Sequence, residues 1–392
     1  MTKPPAMYLW QMMAFNNPGN VFVTCQRQLG PYLEREIKSL NFEILRSGNT
    51  GVLIRASLND CILLNLKLRC ASQVLYSLKK FKAHHPDDVY EEAGKIKWES
   101  IIENPGYFSV KSTVDHPTIN NNLFVNLRIK DAINDRLRKI RGNRPDTGAE
   151  LKGTVISLHW KNEEAELFLD TSGDSIARHG YRKSPGKAPM LEALAAATIF
   201  ASGWSGQSSF INPMCGSGTL AIEAALISTN TAPGLFRMNF GFMHIMGYDE
   251  KEYYRIRNAV EEEIQEENLP VIVATDISEA AIETARKNAK AAGVEKFISF
   301  RVCDFASTPV PQENKGVICF NPEYGERLGN TTELEATYKR MGDFMKQKCK
   351  GYKGYVFTGN PELAKKIGLK ANKRMVFFNS KIECRLLEYE LY

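Results

Sequence analysis

Long apolar stretches are missing from this chain. No run reaches the roughly 18 apolar residues that a membrane-spanning helix needs, so we expect no membrane span. The N-terminal segment lacks the apolar core of a signal peptide, and the expected compartment is therefore the cytosol. Internal repeats and low-complexity tracts are absent as well.

Metal-binding patterns are also missing. The eight cysteines include no Cys-x-x-Cys pair, and among the six histidines only His84 and His85 are adjacent. We therefore expect reduced, mostly buried thiols and no bound metal.

The positive charge of the chain is distributed unevenly. Its 392 residues are enough for roughly two or three domains, and the 43% hydrophobic and 24% charged fractions are ordinary for a globular protein. Residues 1–190 hold 27 Lys and Arg against 20 Asp and Glu, whereas residues 191–392 hold 24 against 25. A basic N-terminal half is expected if that half contacts a polyanion, although a basic solvated surface explains the same count.

The N-terminal half alternates predicted strands and helices. We expect strands at 21–25, 51–55, 108–112, 151–159 and 165–169, and helices at 29–40, 60–81, 87–102 and 123–140. This pattern predicts an α+β region over 19–170, preceded by a flexible N-terminus over 1–18. A segment rich in Gly, Pro and positive charge predicts a linker over 171–189.

A basic cluster lies near the end of the predicted helix 123–140. Basic side chains at a helix C-terminus are favoured by the helix dipole alone. Contact with nucleic acid is the other interpretation. The candidate RNA-binding residues are Lys130, Arg136, Arg138, Lys139, Arg141 and Arg144.

From residue 190 the pattern changes to short apolar strands that alternate with helices. We predict an α/β domain over 190–392, built on a doubly wound sheet that ends in an antiparallel hairpin. An insertion with a helix over 249–268 interrupts it and is expected to loop out of the sheet.

The first strand of this domain leads into a glycine-rich turn and a helix. Gly216 and Gly218 allow the backbone to approach a ligand closely, and Thr219 opens the helix. The lysine of a phosphate loop and the third glycine of a dinucleotide fingerprint are both missing. The turn therefore suits a nucleoside with an amino acid tail, such as S-adenosylmethionine. The candidate cofactor residues here are Asn212, Pro213, Cys215, Gly216, Gly218 and Thr219.

Acidic residues end the next two predicted strands. Asp276 is placed to accept hydrogen bonds from ribose hydroxyls, with Ile277 beside it, and Asp304 is placed to accept from an adenine amino group. Each aspartate taken alone is explained equally well as a helix cap. Their order after the glycine turn favours a cofactor site.

Asn321-Pro322-Glu323-Tyr324 follows the fourth apolar strand. The Asn amide oxygen and the Pro carbonyl are two acceptors for the hydrogens of an exocyclic amino group, and the Tyr ring can stack on a flipped base. Asn321, Pro322 and Tyr324 are the candidate catalytic residues, and Asn321 is also a candidate cofactor contact. A simple turn after a strand is the alternative.

Together these segments resemble the bacterial 23S rRNA guanine-N2 methyltransferases. Residues 214–225, 274–278 and 321–329 resemble their class I, Rossmann-like methyltransferase domain, and residues 22–25, 68–74 and 130–136 resemble their ferredoxin-like and THUMP RNA-binding region. The similarity spans about 21–392. It implies direct, in-line transfer of a methyl group from S-adenosylmethionine to guanosine N2 in 23S rRNA or a ribosome-assembly intermediate, with neither a covalent enzyme intermediate nor a metal. Some family members carry a second methyltransferase module after this one, and we expect no such module within residues 1–392.

One position departs from the family pattern. The family usually has Asn-Pro-Pro-Tyr, and Glu323 replaces the second proline. Glu323 regains a backbone N–H and loses the fixed φ of proline. Its carboxylate would help the amine lose its proton or would repel RNA phosphate. Two other readings stay open: a DNA adenine-N6 methyltransferase, which uses the same acceptors, and a non-catalytic RNA-binding assembly factor with a decayed site.

Overall fold

A computed structural model describes residues 15–119, 121–182, 190–324 and 331–392. Most of the predicted flexible N-terminus, residues 183–189 of the predicted linker and residues 325–329 of the resemblance lie outside these ranges. The chain divides into two compact units. Unit 1 comprises Met1–Cys25, Glu34–Ile176 and Arg237–Val260, and unit 2 comprises Gln26–Leu33, Ala177–Phe236 and Glu261–Tyr392.

Unit 1 is built on an eight-stranded sheet in the order β2-β3-β1-β4-β8-β7-β5-β6. Its pairings are antiparallel except for those of β5 with β6 and β7. The strands are β1 (Gly19–Cys25), β2 (Glu43–Gly48), β3 (Gly51–Ala56), β4 (Ala71–Lys82), β5 (Tyr107–Asp115), β6 (Asp146–Gly148), β7 (Thr154–Lys161) and β8 (Glu164–Asp170).

Local sequence signals fix the helices of the N-terminal half. The Ser57 hydroxyl accepts from the Asp60 N–H in a capping box that starts the second helix. The fourth helix buries residues at spacings of three and four and ends at Gly142, whose φ is 76°. Those buried residues join Trp98 and Trp160 in one core. The helices are α1 (Gly30–Ser39), α2 (Leu58–Lys67), α3 (Pro86–Gly94) and α4 (Asn122–Arg141).

The predicted helix over 60–81 is wrong beyond Lys67. Leu68 leaves helical geometry with a ψ of 125°, and the 12-residue strand β4 follows in the middle of the sheet. Apolar residues at 62, 63, 66, 75 and 78 fit a helical period by coincidence, and the β4 residues are held instead by pairing with β1 and β8. The strands β2 and β6 were not predicted.

Unit 2 contains the predicted α/β sheet. The order is β11-β10-β9-β12-β13-β15-β14, with β15 antiparallel to both of its neighbours. The strands are β9 (Phe210–Pro213), β10 (Ile272–Asp276), β11 (Ile298–Val302), β12 (Val317–Phe320), β13 (Lys353–Thr358), β14 (Lys373–Asn379) and β15 (Ile382–Glu390).

Six α-helices lie in the described residues of the C-terminal half of the sequence. They are α5 (Glu192–Ala201), α6 (Thr219–Ser228), α7 (Glu250–Glu262), α8 (Glu279–Ala291), α9 (Thr331–Lys348) and α10 (Pro361–Lys366), of which α7 belongs almost entirely to unit 1 and the others to unit 2. The predicted insertion therefore leaves the sheet of unit 2. Within unit 1 the Thr154 hydroxyl donates to the His244 carbonyl over 2.7 Å. Among the described residues, no helix is long and apolar enough to cross a membrane.

Candidate functional site

The candidate site lies where four adjacent parallel strands of unit 2 end. The strands β11, β10, β9 and β12 are neighbours in that order. Asp276 is the last residue of β10, and Asp304, the glycine turn and Asn321 follow the carboxyl ends of β11, β9 and β12. Such an edge, at the point where strand order reverses, is the usual ligand site of an open α/β sheet.

The glycine turn has the geometry that glycine permits. Gly216 and Gly218 have φ values of 55° and 82°. A Cβ on Gly218 would lie 2.8 Å from the Cβ of Ala285, so a larger residue there would collide with α8. A Cβ on Gly216 would meet none of the described residues within 4 Å. Gly218 is thus needed for packing, whereas a side chain at Gly216 is disfavoured only by the positive φ.

Asp276 is fixed to this turn. Its Oδ2 accepts from the Gly216 N–H and its Oδ1 from the Ser278 N–H, each over 2.9 Å. Each oxygen keeps a further lone pair, so two hydroxyl groups can still be accepted. Next to it, Ile277 is 73% exposed, so its apolar side chain faces solvent.

Asp304 is held by two donors on the same oxygen. Its Oδ1 accepts from the Ala306 N–H over 2.9 Å and from Arg340 Nη2 over 2.7 Å. Burial raises the pKa of this carboxyl, but the hydrogen bonds from Arg340 and Ala306 and the Arg340 charge outweigh burial and lower it overall. The group is therefore an ionised acceptor at neutral pH.

Two asparagines at these strand ends carry buried oxygens that have no hydrogen-bond partner among the described residues. They are Asn212 Oδ1 and Asn321 Oδ1. Asn212 Nδ2 donates to the Cys319 carbonyl over 2.9 Å, which ties β9 to β12 and fixes the direction of the amide. An unpaired buried acceptor costs about 1–3 kcal/mol, and a bound donor would relieve that cost. These acceptors fit the hydroxyl and amino groups of a nucleoside cofactor and of an amine substrate.

Hydrogen bonds from other parts of unit 2 hold the residues after Asn321 in place. Pro322 is buried, Glu323 is exposed, and the Glu323 carbonyl accepts from the Tyr338 hydroxyl over 3.2 Å. The Tyr324 hydroxyl accepts from Asn379 Nδ2 over 2.8 Å, and its ring lies 6.3 Å from that of Phe357. One end of the predicted stacking ring is therefore fixed to the β14–β15 hairpin.

Three other candidate cofactor residues, Pro213, Cys215 and Thr219, are buried. The Thr219 hydroxyl accepts from Arg182 Nη2 over 3.0 Å. Burial, together with the Asp276 charge, raises the pKa of the Cys215 thiol, so this cysteine stays protonated. These residues support the turn.

The six candidate RNA-binding residues fall into two groups. Arg138, Lys139 and Arg144 are exposed. The other three are half-buried and bonded within unit 1: Arg136 forms a bidentate ion pair with Glu99 at 2.7 and 2.8 Å, Arg141 donates to backbone carbonyls, and Lys130 donates to the Gly148 carbonyl. The exposed group is therefore better placed to contact a polyanion than the half-buried group.

Sequence reasoning missed several supporting residues. Tyr338 and Arg340 lie on α9, where no motif distinguishes them from core and surface positions, and Asn379 lies in the terminal hairpin. Within the described part of the chain, no group of three His, Cys, Asp or Glu side chains is placed to hold a metal ion.

Comparison with known proteins agrees with this geometry. Residues 179–388, more than half of the chain, match the family model of the RMKL-like methyltransferase domain. The chain belongs to this family. Residues 20–75 match the RlmL ferredoxin-like domain, and residues 83–170 match the THUMP domain.

Curated relatives of this RMKL-like chain are longer proteins. Two of them, from Syntrophotalea carbinolica and Psychromonas ingrahamii, are named ribosomal RNA large subunit methyltransferase K/L and are each 35% identical, over 95% and 94% of this chain. The alignments cover 54% and 50% of those proteins, so the chain spans about half their length.

Solved structures match the RMKL-like chain over nearly its whole length. A putative methyltransferase complexed with SAH is 26% identical with a TM-score of 0.87, and covers 96% of this chain and 99% of its own. A possible methylase from Clostridium difficile 630 is 28% identical, also with a TM-score of 0.87 and the same coverage. The predicted fold, a class I methyltransferase domain behind a THUMP-containing region, is confirmed. The predicted cofactor agrees with the SAH bound to the first neighbour.

Proposed function

We propose that this chain methylates the exocyclic N2 of a guanosine in large-subunit rRNA, with S-adenosylmethionine as the methyl donor. The observation that carries the proposal is the buried Oδ1 of Asn321, which has no hydrogen-bond partner in the described part of the chain and lies just after β12, one strand away from the glycine turn. The names of the curated relatives, the THUMP match and the basic N-terminal half support an rRNA substrate. Such a substrate places the reaction in the cytosol.

The target amine would be held by two acceptors. Asn321 Oδ1 and the Pro322 carbonyl accept its two hydrogens, which draws the nitrogen lone pair out of conjugation with the base and directs it at the cofactor. The Tyr324 ring would lie against the flipped base, since its hydroxyl is fixed by Asn379. Most of the acceleration would come from proximity and orientation.

The cofactor would lie along the strand ends. Asp276 would accept from the ribose hydroxyls, Ile277 would cover the adenine ring, and Asp304 would accept from the adenine amino group. The amino acid tail would lie beside Gly216, where a Cβ would meet none of the described residues within 4 Å. When bound, S-adenosylmethionine supplies an electrophilic methyl group.

A DNA adenine-N6 methyltransferase would use the same acceptors. One structural neighbour, from Listeria monocytogenes, is described as a predicted N6-adenine-specific DNA methylase, with 28% identity, a TM-score of 0.86 and 98% coverage of both chains. The rRNA names of the curated relatives and the THUMP match favour RNA for this chain.

The test is methyl transfer from labelled S-adenosylmethionine to unmodified 23S rRNA, with DNA assayed in parallel. We expect label in one rRNA guanosine, and a loss of at least about 100-fold for Asn321→Ala, because one placed acceptor is worth that much in a transition state. Asn59→Ala, which removes an amide on α2, is the control. Methyl-adenine in DNA without label in RNA would contradict the proposal, and absence of methyl-donor binding by calorimetry would favour an assembly factor.

A further inference from the structure

A second cavity opens in unit 2, apart from the strand ends that form the candidate site. Its volume is about 500 Å³, within the range of small-molecule pockets. It lies between α10 and one face of the β13–β15–β14 part of the sheet. None of the candidate cofactor or catalytic residues is among those that line it.

The floor of this cavity is apolar. Leu387 and Tyr389 of β15 are 5% and 2% exposed and belong to the core of unit 2. Ala364, Leu369 and Ala371 are partly buried and pack against the same core. Apolar side chains of this kind can pack against the face of a planar ring.

The rim of the cavity is basic. Lys365, Lys370, Arg374 and Arg385 line it together with one acid, Glu383. Lys365 pairs with Glu362 over 2.8 Å and Arg385 with Glu383 over 3.0 Å. The described part of the chain provides no ion pair for Lys370 or Arg374, and both are exposed. Two cations beside an apolar floor match the chemistry of a nucleotide, in which an anionic phosphate adjoins a flat base.

Close packing and hydrogen bonds join this cavity to Glu323 and Tyr324, the two residues that follow the proposed amine acceptors. Gly359 lines the cavity, and a Cβ on it would lie 2.9 Å from the Tyr324 ring. Thr358 also lines it, and its hydroxyl lies 3.0 Å from that of Tyr338, which donates to the Glu323 carbonyl. Occupants of the two sites would therefore be neighbours in space.

We propose that this cavity binds a nucleotide that flanks the target in the same RNA strand, with its phosphate on Lys370 and Arg374 and its base on Leu387. Flipping a target base separates it from its stacked neighbours, and contacts to flanking nucleotides then help to select the substrate. The proposal rests on the proposed function, since it requires an RNA substrate.

The first test compares two double substitutions of equal charge. Lys370→Gln/Arg374→Gln removes the two rim cations, and Lys287→Gln/Lys290→Gln removes two exposed cations of α8. Binding of a labelled single-stranded RNA oligonucleotide is measured by anisotropy at several salt concentrations. We expect RNA affinity to fall at least fivefold for the variant that lacks the two rim cations, and less than twofold for the variant that lacks the two α8 cations. The slope of log K against log salt concentration should become less steep by about 0.7 for each phosphate contact removed.

The second test separates occupation of the cavity from long-range charge. Ala371→Phe fills the cavity without changing any charge, and it should weaken RNA binding by a similar factor while thermal unfolding confirms that the variant folds. An oligonucleotide containing 4-thiouridine should crosslink to peptides of the lining in the parent protein and lose that crosslink in the variant.

Three results would overturn the proposal: equal losses in the two charge pairs, RNA affinity unchanged by Ala371→Phe, or binding of free guanosine monophosphate as tight as that of the oligonucleotide. Crosslinking in the cavity without methylation of rRNA would uphold the cavity and contradict the proposed function. Methylation of rRNA that is unaffected by Lys370→Gln/Arg374→Gln and by Ala371→Phe would uphold the proposed function and contradict the role of the cavity.

Discussion

The hydroxyl of Tyr338 donates to the backbone carbonyl of Glu323 over 3.2 Å and lies 3.0 Å from the Thr358 hydroxyl. Thr358 in turn accepts from the Asn360 N–H over 3.1 Å. Because a carbonyl can only accept, the Tyr338 proton goes to Glu323 and the Thr358 proton goes to Tyr338. A directed chain of hydrogen bonds therefore runs from the end of β13 to the peptide next to the proposed Pro322 acceptor.

Replacing Tyr338 by Phe should reduce catalysis more than cofactor binding. The loss of its hydroxyl frees the Glu323 peptide, and we expect kcat to fall about 10-fold, because small misplacements of reacting groups are costly. Affinity for S-adenosylmethionine, measured by calorimetry, should change less than twofold. Tyr352→Phe is a matched control, since its hydroxyl donates to the Pro311 carbonyl over 2.6 Å. Both variants should lose about 1 kcal/mol of unfolding free energy, and equal kcat values would contradict the positioning role.

Glu323 is the position that departs from the family pattern, and two substitutions there distinguish the effect of its backbone from the effect of its charge. Its side chain is exposed and lines a cavity of about 210 Å³ with Glu333 and Met214. We expect Glu323→Pro to keep kcat within about threefold, since proline fits an exposed turn without loss of a needed donor. Glu323→Gln should lower KM for RNA, because it removes a carboxylate that repels phosphate. A large fall in kcat for Gln alone would assign the carboxylate to proton removal instead.

Asp276 should control cofactor affinity. Charge-assisted hydrogen bonds contribute about 1.5–3 kcal/mol, so Asp276→Ala should raise the Kd for S-adenosylmethionine roughly 10- to 100-fold, and Asp276→Asn should raise it less. Asp249→Ala is the matched control, because Asp249 Oδ1 likewise accepts from the N–H two residues later over 2.9 Å. An unchanged Kd for Asp276→Ala in calorimetry would reject the ribose contact.

The sequence predicted the sheet of unit 2 better than the sheet of unit 1, and the reason is physical. Buried parallel strands such as β12 are short, continuous apolar runs bounded by turn residues, which makes them visible. In β4, half-buried and polar residues alternate irregularly, and its identity as a strand depends on partners far away in the sequence.

In the candidate site, too, features set by local sequence were predictable and contacts between distant residues were not. The turn at Gly218 and the position of Asp276 at a strand end were predictable, because a glycine turn and an apolar strand are visible in the local sequence. The link from Tyr338 to Glu323 was not, since it joins residues 15 positions apart through the packing of α9. The pairing of Arg136 with Glu99 was not predictable either, because the two residues lie 37 positions apart in the sequence.

The two groups of basic residues on unit 1 should behave differently. Replacing exposed Arg138, Lys139 and Arg144 together by Ala should weaken RNA binding and flatten its salt dependence, with little effect on unfolding. Arg136→Ala should instead destabilise the fold by about 1–3 kcal/mol, because it leaves Glu99 unpaired. Filter binding and urea unfolding measure the two effects, and RNA affinity that is insensitive to the triple substitution would reject this surface.

Acid should destabilise unit 1 through His159. This side chain on β7 is half-buried between the rings of Phe22 and Phe168. Burial, aided by the charge of Lys111, lowers the pKa of His159 from about 6.5 to about 4. In the unfolded chain the imidazole takes up a proton below its ordinary pKa, whereas in the folded protein it stays neutral down to about pH 4.

Unfolding therefore binds a proton between these two pH values, and stability must fall as the pH falls through that window. The full contribution of neutral His159 is present above pH 6.5, and a shift of this size corresponds to a loss of about 3 kcal/mol by pH 4. We expect His159→Gln to lose less stability than the parent protein between pH 7 and pH 4 in urea titrations. His84→Gln, at a side chain that is 65% exposed, is the control and should parallel the parent. A His159→Gln profile that also runs parallel would show that other groups carry the acid sensitivity.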